Sequence, residues 1–179
     1  MKGLHAVAAA TLLAASVPVT MTWAVTWAIA GPDKVAFPKY QTDVLYDVLD
    51  KSEDKEIMEF YVNPEALKLI SPGQPLPNGT VLTRPTFKAL LNDKGEFVKD
   101  ANGRLVRGSL NRIVVMEKRT GWGTEYAADV RNGEWEYRIF EPNGTPRANA
   151  NYNACFQCHK PKGEQDFVFS YSQLVKFAR

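Results

Sequence analysis

Along the chain the spacing of apolar and polar residues changes several times, and each change marks an element. "GPDKVAFPKYQTD" mixes prolines with charges and predicts an extended lead-in. Val44, Leu45, Val48 and Leu49 then fall at helix-like spacing, whereas "EIMEFYV" alternates as a strand does. "NPEALKLI" carries Asn63 as N-cap, Pro64 at the first helical position and Glu65 in the first turn, which predicts a short helix that "SPGQPLPNG" ends. "TVLTRPTFKALL" reads as a strand, with Pro85 at an edge or a bulge because it has no N–H to give a sheet. Turn signals at Asp93-Lys94-Gly95 and Asn102-Gly103 predict a hairpin insertion. "NRIVVMEKRTGWG" reads as another strand. In "NGEWEYRIFEPNG", Trp135, Tyr137 and Ile139 fall on one face and Glu134, Glu136 and Arg138 on the other, so a half-buried antiparallel strand is expected between two Asn-Gly turns. The tail "DFVFSYSQLVKFAR" begins extended and ends in a helical turn or two. The sum is a mainly β (α+β) fold, an antiparallel sheet domain with a few accessory helices.

The leader changes where this domain is expected to work. After Lys2 no charge occurs until Asp33, and the apolar run from Gly3 to Ala30 is long enough to cross a bilayer, which takes roughly 20 residues. Ala28-Ile29-Ala30 before Gly31 also supplies the small-x-small exit of a cleaved signal peptide, and Pro18 would interrupt a spanning helix. Residues 1–30 are therefore a signal peptide or an N-terminal membrane anchor, and residues 31–179 one exported domain, placed in the periplasm. If the leader stays, it is the domain's one link to the membrane. The 22 basic and 20 acidic residues are mixed along the chain, with no basic face for a nucleic acid.

The candidate chemistry sits near the C-terminus. "ACFQCH" holds both cysteines of the chain and the one histidine outside the leader. Two thiols three positions apart on a helical turn can each form a thioether with one vinyl group of a porphyrin. The following imidazole of His159 is then placed to coordinate the iron, which is the attachment signature of a single covalent haem c. Other uses of Cys155 and Cys158 stay open: a small disulfide loop, a redox pair, or a zinc site that would need a fourth ligand. With one histidine in the domain, bis-histidine ligation is excluded. Met58, Met116 or a lysine would be the protein's sixth ligand, and otherwise the distal position is vacant or holds water, a state suited to small gases. A calcium loop in "NDKGEFVKDANGR" does not fit the required spacing.

"PLPNGTVL" at 75–82, "VVMEKRTGWG" at 114–123, "NGEWEYRIF" at 132–140, and "ACFQCH" with "DFVFS" within 154–170 together make the chain resemble the cytochrome P-460 family. That family includes hydroxylamine-oxidising cytochromes and the gas-binding cytochromes c′-beta. The resemblance implies an antiparallel β structure with accessory helices, usually a homodimer, with covalent haem on Cys155 and Cys158 and His159 as proximal ligand. It also implies a nitric oxide or similar nitrogen-oxide ligand and a soluble redox protein as partners. Catalytic members carry a lysine, shortly after a "DGTV"-like turn, that links to the haem. Here the turn is Asn78-Gly79-Thr80-Val81 and the matching offset holds Arg84, whose guanidinium is a poor nucleophile. Lys88 is the next candidate for that link, or a solvated strand lysine. "PRANANYNA" before Cys155 lacks the carboxylate that active members use for proton removal. Hydroxylamine oxidation is thus the alternative to ligand binding and electron transfer. Arg84 is expected to face the pocket and hydrogen-bond an iron-bound ligand, or to form a surface salt bridge, with Phe87, Trp122 and Tyr126 shaping the cavity or simply filling core.

Overall fold

A computed structural model describes residues 34–179; the leader and the expectations attached to it lie outside the described residues. Five strands cross one antiparallel sheet in chain order: β1 (Val44–Lys51), β2 (Glu56–Val62), β3 (Val81–Ala89), β4 (Arg107–Lys118) and β5 (Trp135–Phe140). Three short α-helices accompany them, α1 (Pro64–Leu67), α2 (Tyr152–His159) and α3 (Tyr171–Phe177), with 3-10 turns at Tyr40–Thr42 and Lys160–Gln165. The fold is mainly β with accessory helices, as the sequence pattern predicts. Among the described residues no helix is long and apolar enough to cross a membrane.

The helix expected from Val44, Leu45, Val48 and Leu49 is instead β1. Leu45 pairs with Tyr61 and Asp47 with Phe60, leaving Tyr46 as an extra residue in the strand. Such a bulge resets the two-residue alternation, so apolar doublets on either side of it satisfy a strand as well as they would a helix. Asn63 does precede α1, but its side chain makes no capping bond. Its Oδ1 accepts from the Val81 N–H at 2.8 Å and its Nδ2 donates to the Gly79 carbonyl at 3.2 Å, so it pins the start of β3.

Pro85 lies in β3, the middle strand, opposite Ile113 of β4. The ladder between β2 and β3 accommodates it: Met58 pairs with Thr86 and Tyr61 with Thr83, and pairing lapses in between. A register shift against β4 follows at once, between Thr86 and Phe87. The insertion of residues 90–106 forms two tight turns with bridges Leu91↔Phe97 and Lys99↔Leu105.

Side chains of β3 alternate between two faces. Leu82 joins the largest core cluster, with Met116, Trp135, Tyr137, Tyr152, Phe156 and Leu174, between the sheet and helices α2 and α3. Val81 joins a second cluster on the opposite face, where the N-terminal segment brings Val35 and Tyr40 against Ile113, Val115 and Phe140. Trp135 and Phe156 are 0% and 1% exposed, and burying each contributes about 1.5–3 kcal/mol. The strand from Trp135 is less one-sided than its alternation predicts: Glu136 is fully buried too, accepting from the Tyr126 hydroxyl at 2.9 Å. A polar residue in the outward phase is thus covered because a loop folds over it. The tail is also not extended at first, since Asp166 and Phe167 both take positive φ, 50° and 62°.

Candidate functional site

Helix α2 presents the two cysteines and the histidine. The Asn151 side chain accepts from the Ala154 N–H at its start, a local cap that a chain "NYNA" can supply. From the sheet side, the buried Asn132 amide donates to the Phe156 carbonyl and to the Tyr137 hydroxyl, both at 2.9 Å. At the other end the Lys160 ammonium donates to the carbonyls of Ala128 and Arg131, at 2.9 and 2.7 Å. Phe156 packs edge-on against Tyr126 and Tyr137, with ring centroids 5.1 and 4.8 Å apart. The helix is therefore held on three sides, and what remains is the edge that bears the thiols.

Cys155 is half-buried and Cys158 exposed, and neither is in a disulfide. Burial pushes the Cys155 thiol up, while the Arg84 cation pulls it down. His159 is lowered from its ordinary 6.5, first by burial and then, past an opposing hydrogen bond, by Arg84. Burial thus favours the neutral ring. Its Nδ1 lies 2.7 Å from the Phe167 carbonyl, and since a carbonyl can only accept, the proton is at Nδ1 and the Nε2 lone pair is free. Tyr137 and Phe169 flank the ring at 5.1 and 4.9 Å.

Arg84 stands on the β3 face shared with Leu82 and interacts electrostatically with Cys155, Cys158 and Tyr46. Its Nε is buried without a hydrogen-bond partner, and so is the hydroxyl of the fully buried Thr86 two residues on. The nearby carboxylate is already taken: Glu56 accepts from both guanidinium nitrogens of Arg112, at 2.6 and 2.7 Å. Burial, and next the like charge of Arg112, hold Arg84 below its ordinary 12.5. On this face the Arg84 Nε, which faces the two thiols, and the Thr86 hydroxyl are left without partners, and polar groups desolvated in that way lose several kcal/mol, so a further group bonded there would recover free energy.

The other expected residues are placed as follows. Phe87 does not join Arg84. It pairs with Ile57 on the opposite face, where the Arg107 guanidinium sits 5.1 Å from its ring. Strand alternation dictates this: neighbours one or three apart cannot share a face. Trp122 packs in the second core cluster, away from α2, and Tyr126 lies under α2 in the first. Lys88 is exposed, opposite Glu56. Met58 and Met116 are both buried, 7% and 8% exposed, Met116 within the main core and Met58 opposite Thr86. Thr86, Arg112, Glu56 and Asn132 escape a reading of the chain. Asn132 looked like a plain turn residue, and the Glu56–Arg112 pair is 56 positions apart in sequence.

The donor set fits haem: two uncrosslinked thiols three positions apart on α2, an imidazole with Nε2 free, and an Arg84 Nε without a partner on the sheet face toward them. Among the described residues no three His, Cys, Asp or Glu side chains converge as protein ligands to a metal ion, which leaves a zinc site incomplete. No curated protein matches the chain. Residues 38–170, most of the chain, match the Cytochrome P460 family. With that match, the meander sheet and the Cys-x-x-Cys-His helix, the chain belongs to the Cytochrome P460 family, and a haem cofactor is what membership implies.

Proposed function

We propose that this protein is an exported mono-haem c-type cytochrome whose distal side is open to a small ligand such as nitric oxide, with electron transfer to a soluble partner as its second capacity. In this reading Cys155 and Cys158 hold one haem covalently, His159 is the proximal ligand, and Arg84 and Thr86 face the ligand. When bound, haem supplies a redox-active iron with a coordination position for diatomic molecules. The rest is done by the chain. His159 offers the Nε2 lone pair, Phe167 keeps the proton on Nδ1, and the Tyr137 and Phe169 rings flank the imidazole. A periplasmic location and a homodimer belong to the same reading and rest on the leader and on the family.

The observation that carries the proposal is the unpartnered Arg84 Nε beside the unpartnered Thr86 hydroxyl, opposite the two thiols. A guanidinium donates strong hydrogen bonds to an anionic or polarised oxygen, and here no protein oxygen is offered to it. The enzyme alternative is less well supported, since Lys88 is exposed and Arg84 cannot form the haem link of catalytic relatives. The simple carrier has one specific point in its favour, the buried Met58 opposite Thr86 on the Arg84 face.

Two measurements test this on protein made in a host with working cytochrome c maturation. The intact mass should equal that of the polypeptide plus one haem, and the ferrous spectrum should be high-spin and change on adding nitric oxide. A colourless protein with two alkylatable thiols would end the proposal. A low-spin spectrum indifferent to gases, lost in Met58→Ala, would replace it with the carrier, and a red-shifted Soret band would indicate a lysine-linked haem and the enzyme.

A further inference from the structure

We propose that Lys118 and Asp166 are positioning residues for His159, forming a clamp at the end of β4 that sets the imidazole's orientation and basicity. The inference rests on the reading of His159 as the haem's proximal ligand.

The clamp is built around an uncommon piece of backbone. After the 3-10 turn that follows His159, Asp166 (φ 50°, ψ 37°) and Phe167 (φ 62°) are consecutive non-glycine residues in the left-handed region. That conformation is rarely populated and persists where surrounding contacts over-determine it. Here they do. Asp166 Oδ2 accepts from the Leu76 N–H at 2.9 Å and from the Lys118 ammonium at 2.8 Å. Lys118, the last residue of β4, also donates to the Leu76 carbonyl at 3.0 Å and lies 5.8 Å from the Trp135 ring. Both side chains of the ion pair are about nine-tenths buried, 10% and 11% exposed. Phe167 is fixed in turn: its N–H donates to the Lys162 carbonyl at 2.8 Å, and its ring covers Gly133, where an added Cβ would come within 3.3 Å of it.

The output of this arrangement is one carbonyl. The Phe167 oxygen accepts from His159 Nδ1–H at 2.7 Å. A hydrogen bond of that kind fixes the tautomer and ring angle of a metal-binding histidine and raises the basicity of its other nitrogen. Asp166 immediately precedes Phe167 in the same left-handed turn, so anchoring its side chain to Leu76 and Lys118 holds in place the residue that offers this carbonyl. A buried ion pair is weak evidence for stability, whereas its direct attachment to the turn that orients His159 gives it a specific use.

The test compares the haem-loaded native protein with Asp166→Ala, Asp166→Asn, Lys118→Met and Lys118→Arg. Resonance Raman of the ferrous form reads the iron–imidazole stretch, and redox titration reads the midpoint potential. Added imidazole measures how readily His159 is displaced, and thermal melting monitors the fold. Asp166→Ala and Lys118→Met should move the stretch to lower wavenumber and raise the potential, because a less basic imidazole stabilises the oxidised iron less. Displacement should become about 10- to 100-fold easier. Lys118→Arg, which restores the cation, should return all three toward native values. Asp166→Asn, which keeps an acceptor for Leu76, covers the case in which Asp166→Ala does not fold. Native stretch and potential in a folded Asp166 or Lys118 variant would overturn the clamp. His159→Ala separates the two readings: if it leaves the native spectrum unchanged, the ligand assignment itself fails, and if only His159→Ala has an effect, the clamp alone fails.

Discussion

The two faces of the sheet differ in how many of their arginines meet a carboxylate. On the face turned away from α2, Arg104 closes on Asp50 through two hydrogen bonds of 2.9 and 2.8 Å, and Arg107 reaches Glu59 at 2.7 Å. Arg138, on the same face, instead donates to the Val35 carbonyl at 3.0 Å and keeps a buried Nε without a partner. On the face toward α2, Arg112 takes both oxygens of Glu56 and leaves Arg84, far more buried than Arg107, without one. The contrast is one of carboxylate partners: Arg104 and Arg107 have them and the partly buried Arg84 does not, and an uncompensated charge costs more the deeper it lies.

Removing one partner from the α2 side should hurt most. Lys118→Met leaves the Asp166 carboxylate buried beside the Leu76 N–H, and loss of about 3–5 kcal/mol in denaturant unfolding is expected. Phe156→Ala, which empties the contact between α2 and the sheet, should cost a similar 3–5 kcal/mol or so. Next comes Arg84→Leu. It should weaken binding of an oxyanion such as nitrite to the haem-loaded protein by about 10- to 100-fold, the worth of a hydrogen bond to a charged group, while the melting temperature does not fall. A lower melting temperature with unchanged binding would mean that Arg84 stabilises the fold and erase the contrast between the faces.

Glu56 supplies a pH test. Hydrogen bonds from Arg112 hold its carboxyl below the ordinary 4.5 against the opposing effect of burial. A depressed carboxyl contributes stability that is complete above its unfolded value and lost as pH falls through the folded one. Acid titration of Glu56→Gln should therefore show a shallower loss of stability below about pH 4.5 than the native protein, with the two curves parallel above it. The smallest effect is expected on the outer face. Arg104→Ala, with a side chain 45% exposed and with Asp50 still accepting from the Leu105 N–H, should change stability by less than about 1 kcal/mol and leave ligand binding untouched. A large binding defect there would show that the faces are not independent.

Much of this was legible in local patterns. The alternation around Trp135 and Ile113 marks β5 and β4, and Cys155, Cys158 and His159 stand out as one Cys-x-x-Cys-His motif. What escaped had physical reasons. The apolar doublets of β1 mimic a helical face because a bulge at Tyr46 shifts the phase, and no composition signal announces a bulge. Phe87 was grouped with Arg84 by closeness in sequence, yet an odd separation along a strand puts them on opposite faces. Glu136 was assigned to solvent by alternation, and the loop carrying Tyr126 buries it.

The chain by itself determined the motif and the strands, because the Cys-x-x-Cys-His spacing and two-residue alternation are properties of neighbours. The tertiary structure decided which polar groups are left without partners. Glu56 and Arg112 find each other across the sheet, Lys118 meets Asp166 from the end of β4, and Arg84 is left facing the thiols. Pairing of that kind depends on which strands lie side by side and on which face each residue points, and both are settled only when the sheet closes against α2.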